Sequence, residues 1–308
     1  MKIAMVFPGQ GSQAVGMLKG YDGLPAVNDV RAETADVLGE DFLKLLDEGP
    51  AAQLNLTVNT QPAMVTAGYL CFRAWIASGG PQPQMVAGHS LGEYTALVAA
   101  GALTFADCLP LVRFRAQAMQ EAVPEGKGAM AAILNLDDER VKQACASAGG
   151  EVQAVNFNAP GQVVIAGEKA AVERAIEACK AAGAKRAIPL PVSAPFHSSL
   201  MKPAAERLKE YLQKVNIAPT KITLVNNVDV RVEREPQAIR DALARQAAAP
   251  VRWVETIDKM AAMGATHIIE CGPGKVLAGM TRRIAPNVQS LALADRAALE
   301  QALLGVKA

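Results

Sequence analysis

A short apolar run that turns at once into a helix-like segment constrains the fold most. Residues 85–92 read M-V-A-G-H-S-L-G, and a largely apolar, helix-like stretch follows at 93–103. This is the G-x-S-x-G pattern of a nucleophile elbow, in which a strand turns sharply into a helix and flanking glycines let the two approach. We therefore predict that Ser90 is an exposed nucleophile on a strained turn. The NH of Leu91, just behind it, should point toward a developing oxyanion.

Strand and helix patterns alternate on both sides of this turn. Strands are predicted at 2–7, 85–87, 222–228 and 267–271, and helices at 25–38, 60–77, 104–123, 199–215, 237–247 and 251–263. A final strand and helix are expected after Val288. Such alternation favours an α/β fold with a mostly parallel sheet covered on both faces.

The rhythm changes between residues 129 and 192. Strands and helices follow there in the order β-α-β-β-α-β, with a turn at Asn158-Ala159-Pro160-Gly161, which is the ferredoxin-like arrangement. Gly126-Lys127-Gly128 and Ser193-Ala194-Pro195 resemble crossings between domains. We predict a small ferredoxin-like (βαββαβ) domain at 127–194, inserted into a large α/β-hydrolase-like domain at 1–126 and 195–308.

A serine nucleophile needs a base, and the chain has three histidines. His89 lies inside the elbow and should point away from Ser90, which favours a supporting role. His267 begins a buried-strand pattern, where a hydrogen-bonded structural histidine is expected. His197 lies where the chain re-enters the large domain, and a cleft is expected at such a crossing. We therefore predict that His197 is the base.

No carboxylate completes a catalytic triad in the expected order. The acids between the serine and the histidine lie in first turns of predicted helices or on charged helix faces: Asp107, Asp137, Asp138, Glu121, Glu173 and Glu177. A histidine oriented by a neutral carbonyl is compatible with attack on a thioester, whose leaving group departs readily.

The first loop, residues 7–13, reads F-P-G-Q-G-S-Q. Its G-x-G could begin a dinucleotide fingerprint, but the third small residue is Ala14 and no second strand ends in an acid. Two glycines could instead bring the NH of Gln10 to the elbow as a second oxyanion donor. A plain tight turn is the alternative.

Composition excludes several classes of function. The 308 residues carry a net charge of +1, which argues against broad binding of nucleic acid or membrane surfaces. The N-terminus reads as a strand, and no stretch approaches the ~20 apolar residues that span a membrane, so we expect a cytoplasmic protein. The five cysteines are widely spaced with no C-x-x-C pair, and we expect neither disulfides nor a metal site.

Five motifs together carry a family resemblance. They are F-P-G-Q-G-S-Q at 7–13, G-H-S-L-G-E-Y at 88–94, R-x-R-A-Q-A-M-Q at 113–120, F-H-S at 196–198 and E-C-G-P-G at 270–274. In order and spacing the chain resembles the malonyl-CoA:acyl carrier protein transacylases of bacterial fatty acid synthesis over essentially its whole length. It is similar also to the acyltransferase domains of polyketide synthases.

The resemblance implies a role for each matching residue. Ser90 would accept the acyl group, His197 would act as base, and the NH groups of Gln10 and Leu91 would bind the oxyanion. The backbone carbonyl of Gln246 would orient the histidine in place of an acid. The implied partners are malonyl-CoA and acyl carrier protein, coenzyme A enters as part of the substrate thioester, and no cofactor and a monomer are expected.

The resemblance also implies the residues that select the acyl group. Arg115 would hold the free carboxylate of the malonyl group, and Phe196 and Met119 would line its pocket, with Phe196 matching a position associated with selectivity against methylmalonyl. Periodicity does not choose this arginine, because Arg113 and Arg115 flank the apolar stripe of the same helix, each about 80° away on opposite sides.

Three other functions remain open from the sequence. A serine esterase or thioesterase would share Ser90 and His197 but would need no acceptor thiol. Transfer of another acyl group, such as methylmalonyl or acetyl, would keep the mechanism. A noncatalytic relative that only docks the carrier protein is disfavoured by the intact serine, histidine and arginine.

Overall fold

The computed structural model describes residues 1–192 and 194–306. Ser193, in the second predicted crossing, lies outside the described residues, as do Lys307 and Ala308. The strands are β1 Ile3–Phe7, β2 Met85–Gly88, β3 Gly128–Leu134, β4 Val152–Ala159, β5 Gln162–Glu168, β6 Arg186–Pro189, β7 Thr223–Leu224, β8 His267–Glu270 and β9 Gln289–Ala292.

The α-helices complete the framework. They are α1 Pro25–Leu38, α2 Glu40–Glu48, α3 Ala51–Leu54, α4 Thr57–Ala77, α5 Gly92–Ala99, α6 Phe105–Glu121, α7 Asp138–Ala148, α8 Lys169–Ala181, α9 Lys202–Leu212, α10 Pro236–Gln246, α11 Trp253–Ala262, α12 Val276–Ile284 and α13 Arg296–Gly305.

The larger sheet has five strands in the order β7-β2-β1-β8-β9, and all of its pairings are parallel. Its central strand β1 is buried at every residue, because helices cover both faces, as its apolar sequence requires. In register, Phe7 lies beside Gly88 and Val6 beside Glu270. The loops that leave β1, β2 and β8 therefore meet at one edge, and the predicted α/β fold with a mostly parallel sheet is confirmed.

The smaller sheet has four antiparallel strands in the order β4-β5-β3-β6. Along the chain its elements run β3-α7-β4-β5-α8-β6, and α7 and α8 supply much of its apolar packing. A main-chain bridge ties it to the segment before α11: the NH of Phe157 donates to the carbonyl of Val251 at 3.0 Å, and the NH of Val251 donates to Val155 at 2.8 Å.

Three predicted elements differ in extent. The helix after the elbow ends at Ala99 and not at 103, because Gly101 adopts a φ of 71° and the NH of Ala102 bonds back to Leu97, which closes a Schellman cap. The strand predicted at 222–228 is only Thr223–Leu224. The helix predicted at 199–215 is a 3-10 turn followed by α9.

Helices α2, α3 and α12 were not predicted, although α12 follows the E-C-G-P-G motif directly. The five cysteines are all buried and free. Within the described ranges, no helix is both long and apolar enough to cross a membrane.

Candidate active site

Ser90 occupies a strained turn between β2 and α5. Its φ is 51°, in the left-handed region that non-glycine residues seldom adopt. A Cβ on Gly88 would stand 1.8 Å from the carbonyl carbon of Gly92, so only glycine lets the strand and helix approach this closely. The predicted elbow geometry is therefore present, with the Ser90 hydroxyl directed into a cavity between the two sheets.

Asn227, just beyond β7, braces the elbow from the neighbouring strand. Its side-chain oxygen accepts a hydrogen bond from the NH of Ser90 at 2.7 Å, and its side-chain nitrogen donates to the carbonyl of Gly88 at 2.7 Å. One buried carboxamide therefore provides hydrogen-bond partners for both backbone groups of the sharp turn, the NH of Ser90 and the carbonyl of Gly88. Asn227 was not predicted from the sequence, because its partners lie on a distant segment.

His197 lies at the nucleophile. Its Nε2 is 2.6 Å from Ser90 Oγ, and its Nδ1 is 2.9 Å from the backbone carbonyl of Gln246. A carbonyl only accepts, so Nδ1 carries the proton and Nε2 is the free acceptor for the serine proton. The structure brings Ser90, His197 and the Gln246 carbonyl together, with a neutral acceptor where a triad has an acid.

The buried position of His197 strongly disfavours its protonated form. Burial lowers the pKa of His197 to about 3, with the nearby Arg115 cation as the second cause, and the hydrogen bond to the Gln246 carbonyl opposes both only in part. The histidine is therefore neutral in the free site at physiological pH.

The loop after β1 contacts the elbow. A Cβ on Gly9 would lie 2.7 Å from the carbonyl oxygen of His89 and 3.8 Å from the nitrogen of Leu91, so the loop needs glycine to pass here. Gln10 and Leu91 both line the cavity beside Ser90. This proximity supports their predicted role as paired oxyanion donors, which stays a prediction.

Arg115 is buried on α6, with 1% of its surface exposed, and its side chain reaches the nucleophile. Its Nη2 lies 3.2 Å from Ser90 Oγ and 3.0 Å from Gln246 Oε1, and its Nη1 donates to Gln61 Oε1 at 2.9 Å. Arg113 turns to the other side, over the ring of Phe42 at 5.3 Å. Of the two arginines that periodicity could not separate, only Arg115 faces the cavity.

Of the other residues singled out in the sequence, some line the cavity beside Ser90 and others lie away from it. Phe196 and Met119 line the cavity, together with Met130, Leu190 and Val192 from the small-sheet side. The Nε2 of His89 lies 2.7 Å from Asn158 Oδ1, and its ring packs edge-on against Trp253, in agreement with a supporting role. His267 instead bonds to Thr266 at 2.9 Å.

Two further residues of the site, Gln61 on α4 and Glu93 on α5, were not predicted. Each is polar and 2% exposed, but α4 reads as a mostly apolar helix and Glu93 as an ordinary first-turn acid. Their roles depend on contacts with α6 and α10, which no local pattern reveals. Among the described residues, no group of three or more His, Cys, Asp or Glu side chains could hold a metal ion.

Comparison with known proteins shows the family to which the chain belongs. The model of the family described as "Acyl transferase domain" matches residues 4–298. The malonyl CoA-acyl carrier protein transacylase of Escherichia coli strain K12 is 53% identical over 305 residues, covering 98% of this chain and 99% of that protein.

Solved structures are similar over the same length. An acyl-carrier-protein S-malonyltransferase from Burkholderia pseudomallei 1710b is 61% identical with a TM-score of 0.97, covering 99% of this chain and 100% of that chain. A malonyl-transacylase solved in complex with a holo type II PKS acyl-carrier protein is 50% identical with a TM-score of 0.97, at the same coverage.

Replacing Gly9 with alanine tests the oxyanion loop. Because the new methyl would collide with the His89 carbonyl, Gly9→Ala should displace the Gln10 NH and slow acyl transfer to Ser90 by at least ~100-fold, the scale of losing one oxyanion donor. The control is Gly279→Ala on α12, where a Cβ meets no atom within 4 Å and the rate should be unchanged. Equal rates for both variants and the wild type would show that no NH group of this loop stabilises the oxyanion.

Proposed function

This chain belongs to the acyl transferase family, and we infer that it transfers a malonyl group from malonyl-CoA to the phosphopantetheine thiol of acyl carrier protein. The observation that carries the inference is a buried guanidinium 3.2 Å from the nucleophilic oxygen. A cation held there in a dry pocket suits an acyl group with a free carboxylate, which its planar fork can bind bidentately.

The first half-reaction acylates the serine. His197 Nε2 takes the proton as Ser90 Oγ forms a bond to the thioester carbon, and the NH groups of Gln10 and Leu91 receive the oxyanion. When the tetrahedral adduct collapses, the C–S bond breaks and the proton passes from His197 to the sulfur of coenzyme A. The product is malonyl-Ser90 and a free thiol.

The second half-reaction is the reverse chemistry with a different thiol. The phosphopantetheine thiol enters the same cleft, His197 removes its proton, and its sulfur attacks the ester carbon. The C–O bond to Ser90 then breaks, and the oxygen recovers the proton from His197. Only groups of the chain and its two substrates take part, so no cofactor is needed and the kinetics should be ping-pong.

The malonyl carboxylate also affects the base. In the free site Arg115 depresses the pKa of His197, as the second cause after burial. A carboxylate that pairs with Arg115 offsets this cation, so the histidine becomes a better proton acceptor once malonyl is bound. Acetyl, which has no carboxylate, would leave the effect of Arg115 on the pKa of His197 in place.

The organisation around this site is proposed in the same way. We assign 127–194 to a small ferredoxin-like domain and 1–126 with 195–308 to a large α/β-hydrolase-like domain, on the strength of the two sheets and their order. The cavity would then lie between the domains. Cytoplasmic location and the monomeric state remain predictions.

Intact mass measurement tests the function directly. Incubation with malonyl-CoA should add about 86 Da, the mass of a malonyl group on a covalent intermediate, and holo acyl carrier protein should remove it. Ser90→Ala should fold, bind malonyl-CoA and form no adduct. Loss of the adduct to water without the acceptor thiol would indicate a hydrolase, and substantial transfer by the alanine variant would exclude Ser90 as nucleophile.

The two neighbouring arginines form a matched pair for testing acyl selectivity. Charge-assisted bonds contribute about 1.5 to 3 kcal/mol each, so Arg115→Ala should lower kcat/KM for malonyl-CoA by at least ~100-fold, while acetyl transfer changes little or rises. Arg113→Ala should leave the malonyl-to-acetyl ratio nearly unchanged, since its guanidinium lies over Phe42. A ratio that shifts in the Arg113 variant and not in the Arg115 variant would identify the wrong arginine.

The pH dependence of the first half-reaction reports on His197. A histidine with an ordinary pKa would lose about 30-fold in kcat/KM by pH 5, because kcat/KM follows the free enzyme and a protonated base is inactive. With its pKa lowered to about 3, His197 stays unprotonated, so kcat/KM for malonyl-CoA should not fall between pH 8 and pH 5. A tenfold loss per unit below pH 6.5, with the fold intact by circular dichroism, would contradict this.

A further inference from the structure

Arg115 is a buried cation whose hydrogen bonds go to neutral oxygens. Its guanidinium donates to Gln61, Gln246 and Ser90, at 2.9 to 3.2 Å. A buried charge without compensation is costly, so an anion is expected near it. In the free enzyme that anion has to come from the chain itself.

Glu93 is an anion near Arg115, and one side chain, that of Gln246, lies between the two. It is 2% exposed, and its Oε2 accepts hydrogen bonds from Gln246 Nε2 at 3.0 Å and from the NH of Asn227 at 3.0 Å. The other end of the Gln246 carboxamide accepts from Arg115 at 3.0 Å. One neutral amide therefore lies between a buried carboxylate and a buried guanidinium, with its oxygen toward the cation and its nitrogen toward the anion.

We propose that Glu93 is the resident counter-charge of Arg115, a positioning residue that limits how tightly the site holds a carboxylate-bearing acyl group. The proposal rests on the proposed function and concerns the acyl-enzyme and not the chemical steps. A direct salt bridge between Glu93 and Arg115 would occupy the guanidinium fork that the substrate needs. The carboxamide spacer leaves the fork open and still places negative charge nearby.

In the acylated state two carboxylates compete for the Arg115 cation. With malonyl on Ser90, one cation serves two carboxylates, that of the malonyl group and that of Glu93. Their mutual repulsion in a buried site raises the free energy of malonyl-Ser90 relative to a site with Arg115 alone. Glu93 thereby keeps the ester from becoming a stable end point, and the acceptor thiol can remove the acyl group.

Burial raises the pKa of Glu93 to about 7, while its two hydrogen bonds and Arg115 lower it. The pKa values of the other titratable groups around it are shifted away from neutral pH, and burial, the first cause at His197, persists when malonyl is bound. His197 and His89 have lowered pKa values, Tyr94 has a raised one, and the pKa of Asp229 is lowered by its ion pair with Arg245. Glu93 is thus the group near Arg115 whose charge this pH range alters.

The test is the equilibrium between malonyl-CoA plus enzyme and malonyl-Ser90 plus coenzyme A, read by intact mass at fixed thioester and thiol concentrations. The comparison is made at pH 8, where Glu93 is mostly charged in the free enzyme. Glu93→Gln keeps an oxygen for both donors and removes that charge, so the equilibrium constant for malonyl should rise roughly tenfold. The constant for acetyl should stay within about twofold, which a purely structural defect would not produce.

The matched control is Glu270→Gln. Glu270 is also fully buried with a pKa raised to about 7, but it accepts from the NH of Ala278 on α12 and has no contact with Arg115. In the Glu270→Gln variant, the equilibrium constant for forming malonyl-Ser90 should equal that of the wild type. A similar rise in both variants would overturn the proposal.

A measurement on the wild type keeps the proposal falsifiable if the Glu93 variant fails to fold. Between pH 8 and pH 6 Glu93 becomes protonated, so the ratio of malonyl to acetyl constants should rise several-fold, and the proton of the coenzyme A thiol cancels in that ratio. A ratio independent of pH overturns the proposal. Absence of any malonyl adduct on the wild type would instead reject the proposed function.

Discussion

The site depends on the left-handed backbone at Ser90. Such a conformation costs of order 1–3 kcal/mol and persists only where its surroundings fix it. Here Asn227 satisfies the NH of Ser90 and the carbonyl of Gly88, and Gln246 Nε2 donates to the carbonyl of Ser90 at 3.0 Å. His197 also has a positive φ, of 65°. Ser90 and His197 thus both sit on strained backbone, and their 2.6 Å contact is maintained by Asn227, just beyond β7, and by Gln246 at the end of α10.

The parallel sheet explains how such distant segments meet. The loops after β1, β2 and β7 leave the same edge, where open α/β sheets bind their ligands, and they carry Gln10, Ser90 and Asn227 respectively. The antiparallel sheet supplies the opposite wall through Met130, Leu190 and other side chains. His89 joins the two sides, because it belongs to the elbow and bonds to Asn158 on β4. This hydrogen bond therefore links the elbow directly to the antiparallel sheet.

Patterns within single segments of the sequence predicted those features of the site that a single segment determines. The elbow, the alternation of strands and helices, and the choice of His197 could be inferred because each follows from spacing within one segment or from elimination. Arg115 could not be separated from Arg113 by periodicity, since the neighbour on each flank decides which is buried: Gln61 of α4 on one side and Phe42 of α2 on the other. Glu93 and Asn227 were missed for the same reason. The early end of α5, by contrast, was signalled by Gly101 and overlooked.

The missing triad acid follows from the presence of Arg115. Arg115 Nη2 lies 3.2 Å from Ser90 Oγ, which in turn is 2.6 Å from His197. A carboxylate at His197 Nδ1 would stand close enough to this guanidinium to pair with it directly, and would occupy the fork that we propose for the malonyl carboxylate. The carbonyl of Gln246 fixes the histidine tautomer without adding charge, while its side chain holds Arg115. In the proposed mechanism, full basicity of His197 therefore waits for the anion that the substrate brings.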